Sequence, residues 1–214
     1  MAERRPLTTR DARWAIALAS LLVRRRVRPN AISLFSVVAA LIAGAAFLAS
    51  RYAAGGERVI LLITAAIGIQ LRLLCNMFDG MVAVEGKMAS KSGELYNDFP
   101  DRVADPLIIV PVGYAISVWP WAPALGWCAG LLAVMTAYVR VLGGSAGAKQ
   151  DFRGPMAKPQ RMATLTVAAI VDAVAGFFGY GGYVLLAALA LIIVGCIITM
   201  ARRTARIHAE LESR

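Results

Sequence analysis

Several apolar runs in this sequence are long enough to cross a lipid bilayer. Ala31–Ser50 and Tyr183–Ala201 are the clearest, and a helix needs roughly 20 apolar residues to span the hydrocarbon core. A lipid-exposed backbone must satisfy its own hydrogen bonds, which helices and closed barrels do. The strict alternation that is typical of barrel strands is not visible. The runs therefore predict an all-α integral membrane protein.

The polar breaks between the runs predict six transmembrane helices preceded by an N-terminal interfacial amphipathic helix. The segment from Leu7 to Arg28 carries apolar residues such as Trp14 and ends in several arginines, which is typical of a helix lying in the membrane interface. We expect residues 1–28 to hold this helix, residues 29–201 the six-helix transmembrane domain, and residues 202–214 a cytoplasmic tail. The expected spans are 30–50, 59–83, 93–118, 122–141, 162–178 and 183–201.

The distribution of basic residues predicts the orientation. With six spans, the segments on the side of the N-terminus hold 19 Lys and Arg residues, and the turns on the other side hold only Arg51 and Arg58. Basic residues collect in cytoplasmic loops, so both termini are expected in the cytoplasm. The same rule explains the net charge of +10, which in a soluble protein would suggest a nucleic-acid partner. No nucleic-acid partner is expected.

Polar residues inside the predicted second and third spans point to a functional site, because such residues are costly in a membrane. The three cysteines lie in apolar runs without metal-ligand spacing, and the single histidine, His208, lies in the predicted tail. Oxygen donors recur instead at helical spacing, which places them on one face of each helix. Converging oxygen ligands suit Mg²⁺ or Mn²⁺. The two faces contain Asn76, Asp79, Gly80 and Ala83 on the second span, and Gly93, Asn97, Asp101 and Asp105 on the third.

These residues resemble the signature of the CDP-alcohol phosphotransferase family, D-x2-D-G-x2-A-R-x8-G-x3-D-x3-D. Every spacing is kept over 26 positions, and five of the eight residue types match. The six-span layout, the Pro29-Asn30 entry into the first span and the basic loop after the fourth span are also similar to the family. The chain reads Asn76-x2-Asp79-Gly80-x2-Ala83-Val84-x8-Gly93-x3-Asn97-x3-Asp101.

The resemblance implies a membrane phosphatidyltransferase that makes a phospholipid and CMP from CDP-diacylglycerol and a small polar alcohol. It implies one or two divalent ions, Mg²⁺ or Mn²⁺, that neutralise the diphosphate. By position, Asp101 is the expected general base and also a metal ligand. The other implied residues are Asp79, Asn76 and Asn97 for the metal, and Gly80, Ala83 and Gly93 for the nucleotide pocket. The family also implies a homodimer in the bacterial inner membrane.

Three departures from the signature bear on activity. Asn76 and Asn97 replace aspartates, and each amide removes one negative charge from the ion site. The asparagines either bind metal or form hydrogen bonds between helices. Val84 replaces an arginine, for which Arg72, Lys87 and Arg102 are candidate substitutes. The departures favour an alternative function, a degenerate member that binds CDP-lipid or metal without turnover. A transporter is disfavoured because the polar residues gather toward one side of the membrane.

The basic loop after the fourth span supplies the remaining candidates. Arg140, Lys158 and Arg161 are expected to contact phosphates of the donor or of a phosphorylated acceptor. Ordinary positive-inside charge is the competing interpretation for each of them. The loop favours a phosphorylated alcohol, but the sequence does not identify it.

Overall fold

The chain forms seven α-helices in the computed structural model, which describes residues 8–86, 88 and 93–213, without the side chains of Thr8, Thr9, Glu94 and Asn97. Short 3₁₀ turns occur at Thr8–Asp11 and Gly176–Phe178, and no strand is present in those ranges. The helices are α1 (Arg13–Arg24), α2 (Pro29–Ser50), α3 (Gly55–Glu85), α4 (Gly93–Ala115), α5 (Ala122–Ser145), α6 (Lys158–Ala175) and α7 (Tyr183–Glu212).

Five of these helices, α2, α3, α5, α6 and α7, are long and apolar enough to span a bilayer. The expectation of an all-α integral membrane protein is therefore confirmed. Helix α4 does not meet the same criterion, because its first half carries charged residues that include Asp98, Asp101, Arg102 and Asp105. At 23 residues it is about 34 Å long. A sixth span through α4 stays a prediction.

The six long helices pack as a closed ring in the order α2, α3, α6, α7, α5, α4 and back to α2. Small residues let neighbouring helices approach closely. A side chain at Gly44 of α2 would collide with the backbone of Leu107 in α4, and Gly113 of α4 meets Gly126 of α5 in the same way. The core inside the ring is apolar and includes Phe47, Ile108 and Leu165.

Three helix ends meet at one end of the ring and position the candidate site. Helix α3 has 31 residues and is about 46 Å long, so its last turns, with Asn76 and Asp79, lie beside the first turns of α4. Helix α6 begins at Lys158 with Pro159 in its first turn, a position that suits proline because no amide hydrogen is needed there. We call the end of the ring where these helix ends meet the Asp101 end. The opposite end, where α6 finishes and α7 begins, is the Asp172 end.

Helix α1 packs on the outside of α3 near the Asp101 end. Its Ala15 and Ala19 are buried against Met81 and Val82, whereas Trp14 and Leu21 are exposed. The helix is shorter than the predicted 7–28 segment, and its location in the membrane interface stays a prediction.

Several boundaries differ from the sequence expectation. Helix α5 continues to Ser145 and α6 begins at Lys158, so Lys158 and Arg161 lie in a helix rather than in the predicted loop. Helix α3 begins at Gly55, four residues before the predicted start, and α7 continues through Arg202 to Glu212. The segment predicted as a tail is therefore helical as far as Glu212. Buried Arg203 explains the continuation, because its guanidinium donates hydrogen bonds to the backbone oxygens of Thr136 (2.6 Å) and Arg153 (3.1 Å) and so ties α7 to α5 and the loop.

Candidate active site

Charged side chains from α3, α4 and α6 converge on Asp101. The amide nitrogen of Asn76 and the Arg72 guanidinium (3.3 Å) donate hydrogen bonds to Asp101 Oδ1. The ammonium of Lys158 forms an ion pair with Asp101 Oδ2. Asp101 is thus held by one amide and two cations, and both of its oxygens are engaged.

Asp105 lies one turn further along α4 and extends this network. It accepts a hydrogen bond from Arg72 at 2.5 Å and another from Arg161 at 2.7 Å. Arg161 also donates to Thr136 Oγ1 (3.0 Å) and to the backbone oxygen of Met156 (2.8 Å). Arg72, Asp105 and Arg161 are buried. We call Arg72, Asp101, Asp105, Lys158 and Arg161 the central charge cluster.

Asp79 lies beside this cluster but is held differently. Its Oδ2 accepts a hydrogen bond of 2.7 Å from the hydroxyl of Ser33 in the first turns of α2. Its Oδ1 is buried and accepts no hydrogen bond. Asp79 therefore keeps one carboxylate oxygen available for a ligand.

Three buried donors within the central charge cluster also lack acceptors. They are Nε and Nη1 of Arg72 and Nε of Arg161. Unpaired buried polar groups are costly, so a site with such groups is suited to a polar ligand. Because the central unpaired groups are mostly cationic donors, that ligand is expected to be an anion.

The divalent ions implied by the resemblance can be tested against these donors. Asp79 Oδ1 fits one ion, since Mg²⁺ is commonly held by one or two carboxylates together with substrate phosphates. A second ion does not fit, because Asn76 presents its amide hydrogens to Asp101 and two cations already neutralise Asp101. Within the described part of the chain, no group of three His, Cys, Asp or Glu residues is arranged to hold a metal. The predicted ligand Asn97 lies in α4, but its side chain is outside the described residues.

The predicted nucleotide-pocket residues lie on the two helix faces beside the cluster. Gly80 and Ala83 are half-buried on α3, and Gly93 is the first residue of α4. The guanidinium of Arg10 lies next to Gly80, with Nη2 3.8 Å from the place that a Cβ would occupy. Val84 is exposed. Of the candidate replacements for the signature arginine, Arg72 is buried in the cluster, Arg102 pairs with Asp98 (2.9 Å), and Lys87 lies outside the described residues.

Arg140 belongs to a second cluster, which we call the loop cluster. It donates to Gln150 Oε1 (2.7 Å) and to Asp98 Oδ2 (3.1 Å) and lies over the ring of Phe152, 4.8 Å from the centroid.

In the loop between α5 and α6, burial alone would raise the pKa of Asp151. Hydrogen bonds from Arg206 and from the backbone and side chain of Arg153 outweigh it and hold that pKa below its usual range.

The fold matches that of a known enzyme. Over 92% of this chain and 94% of the other, it superimposes on the Mycobacterium tuberculosis phosphatidylinositol phosphate synthase with CDP-DAG bound, with a TM-score of 0.71 and 20% sequence identity. The same enzyme in complex with manganese and citrate gives a TM-score of 0.70 at 20% identity, over 90% of this chain and 88% of that one. Its apo form gives 0.69 at 17% identity, over 88% and 93%. The fold is shared.

At these identities the likeness shows the fold alone. No protein-family model matches the sequence, and no curated protein matches it either. The architecture expected from the resemblance, a helical membrane bundle, is confirmed.

The structure brings Asn76 into contact with Asp101 and puts Asp79 beside them, as the signature spacing suggested. Lys158, which lies outside the signature, also contacts Asp101. Asp101 also pairs with Arg72, and Asn76 donates a hydrogen bond from α3 to α4, which is one of the two roles that the sequence left open for the asparagines. Sequence reasoning missed Ser33 and Arg10, since neither lies in a motif. The full Arg72–Asp105–Arg161 network was also missed, although the four-residue repeat from Gly93 to Asp105 pointed to Asp105.

Proposed function

We propose that this protein is a membrane phosphatidyltransferase that converts CDP-diacylglycerol and a small polar alcohol into a phospholipid and CMP. The observation that carries the proposal is the contact between the two halves of the signature, Asn76 on α3 and Asp101 on α4, beside a carboxylate oxygen of Asp79 that accepts no hydrogen bond. The shared fold supports the donor, because the neighbouring enzyme has been seen with CDP-DAG bound.

In the proposed step, the alcohol oxygen attacks the phosphorus next to diacylglycerol. The bond from that phosphorus to the bridging oxygen breaks, and CMP leaves with the electron pair. The alcohol proton passes to Asp101 Oδ2. This oxygen becomes accessible when Lys158, which is 28% exposed, turns from Asp101 to the diphosphate of the donor.

A divalent ion, Mg²⁺ or Mn²⁺, would supply positive charge to the diphosphate, and Asp79 Oδ1 would hold it. The neighbouring enzyme has been seen with manganese. Ser33 holds the Asp79 carboxylate through Oδ2 and leaves Oδ1 without a hydrogen bond. Asn76 orients Asp101 rather than binding the ion, and we leave Asn97 as a candidate ligand.

We assign the substrate contacts among the predicted basic residues by exposure. Arg161 is 2% exposed, and both of its terminal nitrogens are engaged within the protein, so it supports the site from behind. Lys158 and Arg140 are the better candidates for phosphate contact. Gly80, Ala83 and Gly93 leave space for the cytidine part of the donor. The loop cluster then favours a phosphorylated alcohol as acceptor.

The alternative is a degenerate member of the same fold that binds CDP-lipid without turnover. The observation that favours it is the engagement of both Asp101 oxygens by Asn76, Arg72 and Lys158. In that case the carboxylate never becomes free to accept a proton.

The test is CMP release from CDP-diacylglycerol by the purified protein in detergent, with Mg²⁺ or Mn²⁺ and a panel of acceptors that includes phosphorylated and unphosphorylated polyols. We expect release with one acceptor and a loss of about 10²- to 10⁴-fold in Asp101→Asn, the range for a general base. Lys149→Met, in the exposed part of the loop, is the control. Release from none of the acceptors by monodisperse protein that still binds the donor would favour the degenerate alternative.

A homodimer, a bacterial inner membrane and cytoplasmic termini remain predictions of the resemblance and of the charge distribution. Cysteine accessibility at the C-terminal end of α7, compared with that at Tyr52, would test the orientation. Tyr52 is exposed at the other end of the ring.

A further inference from the structure

The charge balance of the site differs from that of a site built for two ions. Four carboxylates require two divalent ions for neutrality, whereas this chain has asparagine at two of the four positions. Its two remaining signature carboxylates, Asp79 and Asp101, lie beside Lys158 and Arg72. Asp105 is balanced by Arg161. Among the described residues at the centre of the site, the carboxylates of Asp79, Asp101 and Asp105 are therefore matched by the three cations of Arg72, Lys158 and Arg161 before any ion or substrate enters.

Adding two divalent ions to such a site would leave several uncompensated positive charges in a region of low dielectric constant. Uncompensated buried charge is strongly unfavourable. A diphosphate diester carries one negative charge on each phosphorus, so one divalent ion entering together with the donor keeps the balance. Two ions entering do not.

The unpaired atoms lead to the same conclusion independently. In the described part of the central charge cluster and in Asp79 beside it, the buried atoms without partners are three cationic nitrogens, Arg72 Nε, Arg72 Nη1 and Arg161 Nε, and one anionic oxygen, Asp79 Oδ1. Unused donors of this kind suit an anion, and the single oxygen suits one cation.

We propose that Lys158 and Arg72 take the electrostatic place of one of the two divalent ions, so that the site binds a diphosphate with fixed side-chain cations and at most one metal ion. Lys158 contacts the diphosphate, and buried Arg72 acts behind it by holding Asp101 and adding positive charge. Asn76 and Asn97 each remove one negative charge that a metal ion would otherwise balance. The Lys158–Asp101 ion pair balances one of the remaining carboxylates. These features together lower the positive charge that metal ions must supply. This inference deepens the proposed function and rests on it for the identity of the donor.

The experiment measures donor binding and Mn²⁺ binding separately from turnover. CDP-diacylglycerol binding to the detergent-purified protein is measured by thermophoresis in EDTA and in Mn²⁺. Mn²⁺ stoichiometry is measured from the free-ion paramagnetic resonance signal, with and without donor. The variants are Lys158→Met, the triple variant Asn76→Asp/Asn97→Asp/Lys158→Met, and Lys149→Met as the matched control.

We expect wild type and the control to bind the donor in EDTA and to bind at most one Mn²⁺ per chain, mainly when donor is present. Lys158→Met should weaken donor binding in EDTA by roughly ten- to hundredfold, the size of one lost charge-assisted hydrogen bond. The triple variant should bind the donor only with Mn²⁺ and should take up two ions.

Two Mn²⁺ ions bound per wild-type chain would overturn the inference, as would donor binding in EDTA that is unchanged in Lys158→Met. The Mn²⁺ count on wild type decides the matter even if a variant does not fold. Failure of the proposed function has a different signature, namely Lys158-dependent donor binding without CMP release from any acceptor. CMP release by an enzyme that binds two ions would leave the function standing and refute only the present inference.

Discussion

Buried charges occur at both ends of this helix ring, but the two groups are satisfied very differently. At the Asp172 end, Asp172 is fully buried and accepts hydrogen bonds from Arg58 Nη2 (2.5 Å) and from the backbone nitrogens of Gly182 (2.8 Å) and Leu185 (3.4 Å). The carboxylate caps the N-terminus of α7, where a negative charge is favourable. At the Asp101 end, Asp79, Arg72 and Arg161 retain buried atoms without partners.

The difference separates a structural charge cluster from a ligand site. A buried ion pair whose hydrogen bonds are complete fixes the geometry of the helices it joins, in this case α3, α6 and α7. A cluster with unpaired donors and acceptors keeps part of its desolvation cost uncompensated until a ligand arrives. Burial and charge alone do not distinguish these two groups. They differ in the number of buried donor and acceptor atoms that have no hydrogen-bond partner.

The largest expected effect on stability comes from replacing Asp172 with alanine, and the matching replacement of Asp101 tests the contrast between the two ends. Asp172→Ala removes the partner of Arg58 and the cap of α7, and breaking a buried pair costs about 3–5 kcal/mol. We expect a clear fall in the midpoint of thermal unfolding in detergent, with CMP release per folded molecule retained. Asp101→Ala should show the reverse, loss of release with a smaller thermal shift, because Arg72 keeps Asp105 as a partner and Lys158 is partly exposed to solvent. An Asp172→Ala protein of normal thermal stability but without activity would contradict the contrast.

A smaller effect is expected at the loop cluster. Arg140→Gln removes a guanidinium that contacts Asp98, Gln150 and the face of Phe152, and a charge-assisted hydrogen bond to a phosphate contributes about 1.5–3 kcal/mol. We expect the KM for a phosphorylated acceptor to rise by about tenfold or more, with donor binding unchanged. Arg202→Gln, exposed on α7, is the control. Equal losses for donor and acceptor would place Arg140 in the framework of the site instead.

The smallest effect is expected where the loop meets α7. The pKa of Asp151 lies below its usual value of 3.8 in the folded protein. Its ion pairs therefore stabilise the fold fully above about pH 4, and this contribution is lost as the pH falls further through the lowered pKa. Arg153 and Arg206 are largely exposed, so the effect should be under about 1 kcal/mol. The thermal midpoints of wild type and Asp151→Asn should differ slightly at pH 7 and converge below pH 4. A difference that grew on acidification would contradict this assignment.

Much of the fold was accessible from the sequence because membrane helices obey strong local rules. Apolar length located five spans directly, and Pro29, Pro123 and Pro159 lie in the first turns of α2, α5 and α6. Helix α4 was expected at 93–118 and runs over Gly93–Ala115, but the charged residues in its first half leave it without the apolar character by which a span is identified. The far end of α7 was missed because it is held by tertiary hydrogen bonds from Arg203.

The sequence by itself determined the helical membrane architecture and the two helix faces that carry Asn76, Asp79 and Asp101, because periodicity and apolar length are properties of the chain alone. Only the tertiary structure decided which contacts those residues make with each other and with the rest of the chain. Lys158 is 57 positions from Asp101, Ser33 is 46 from Asp79, and Arg161 is 56 from Asp105. Contacts over such separations depend on how the helices close the ring. The physical reason is that charge neutralisation and hydrogen-bond completion are properties of the assembled site, which no single helix contains.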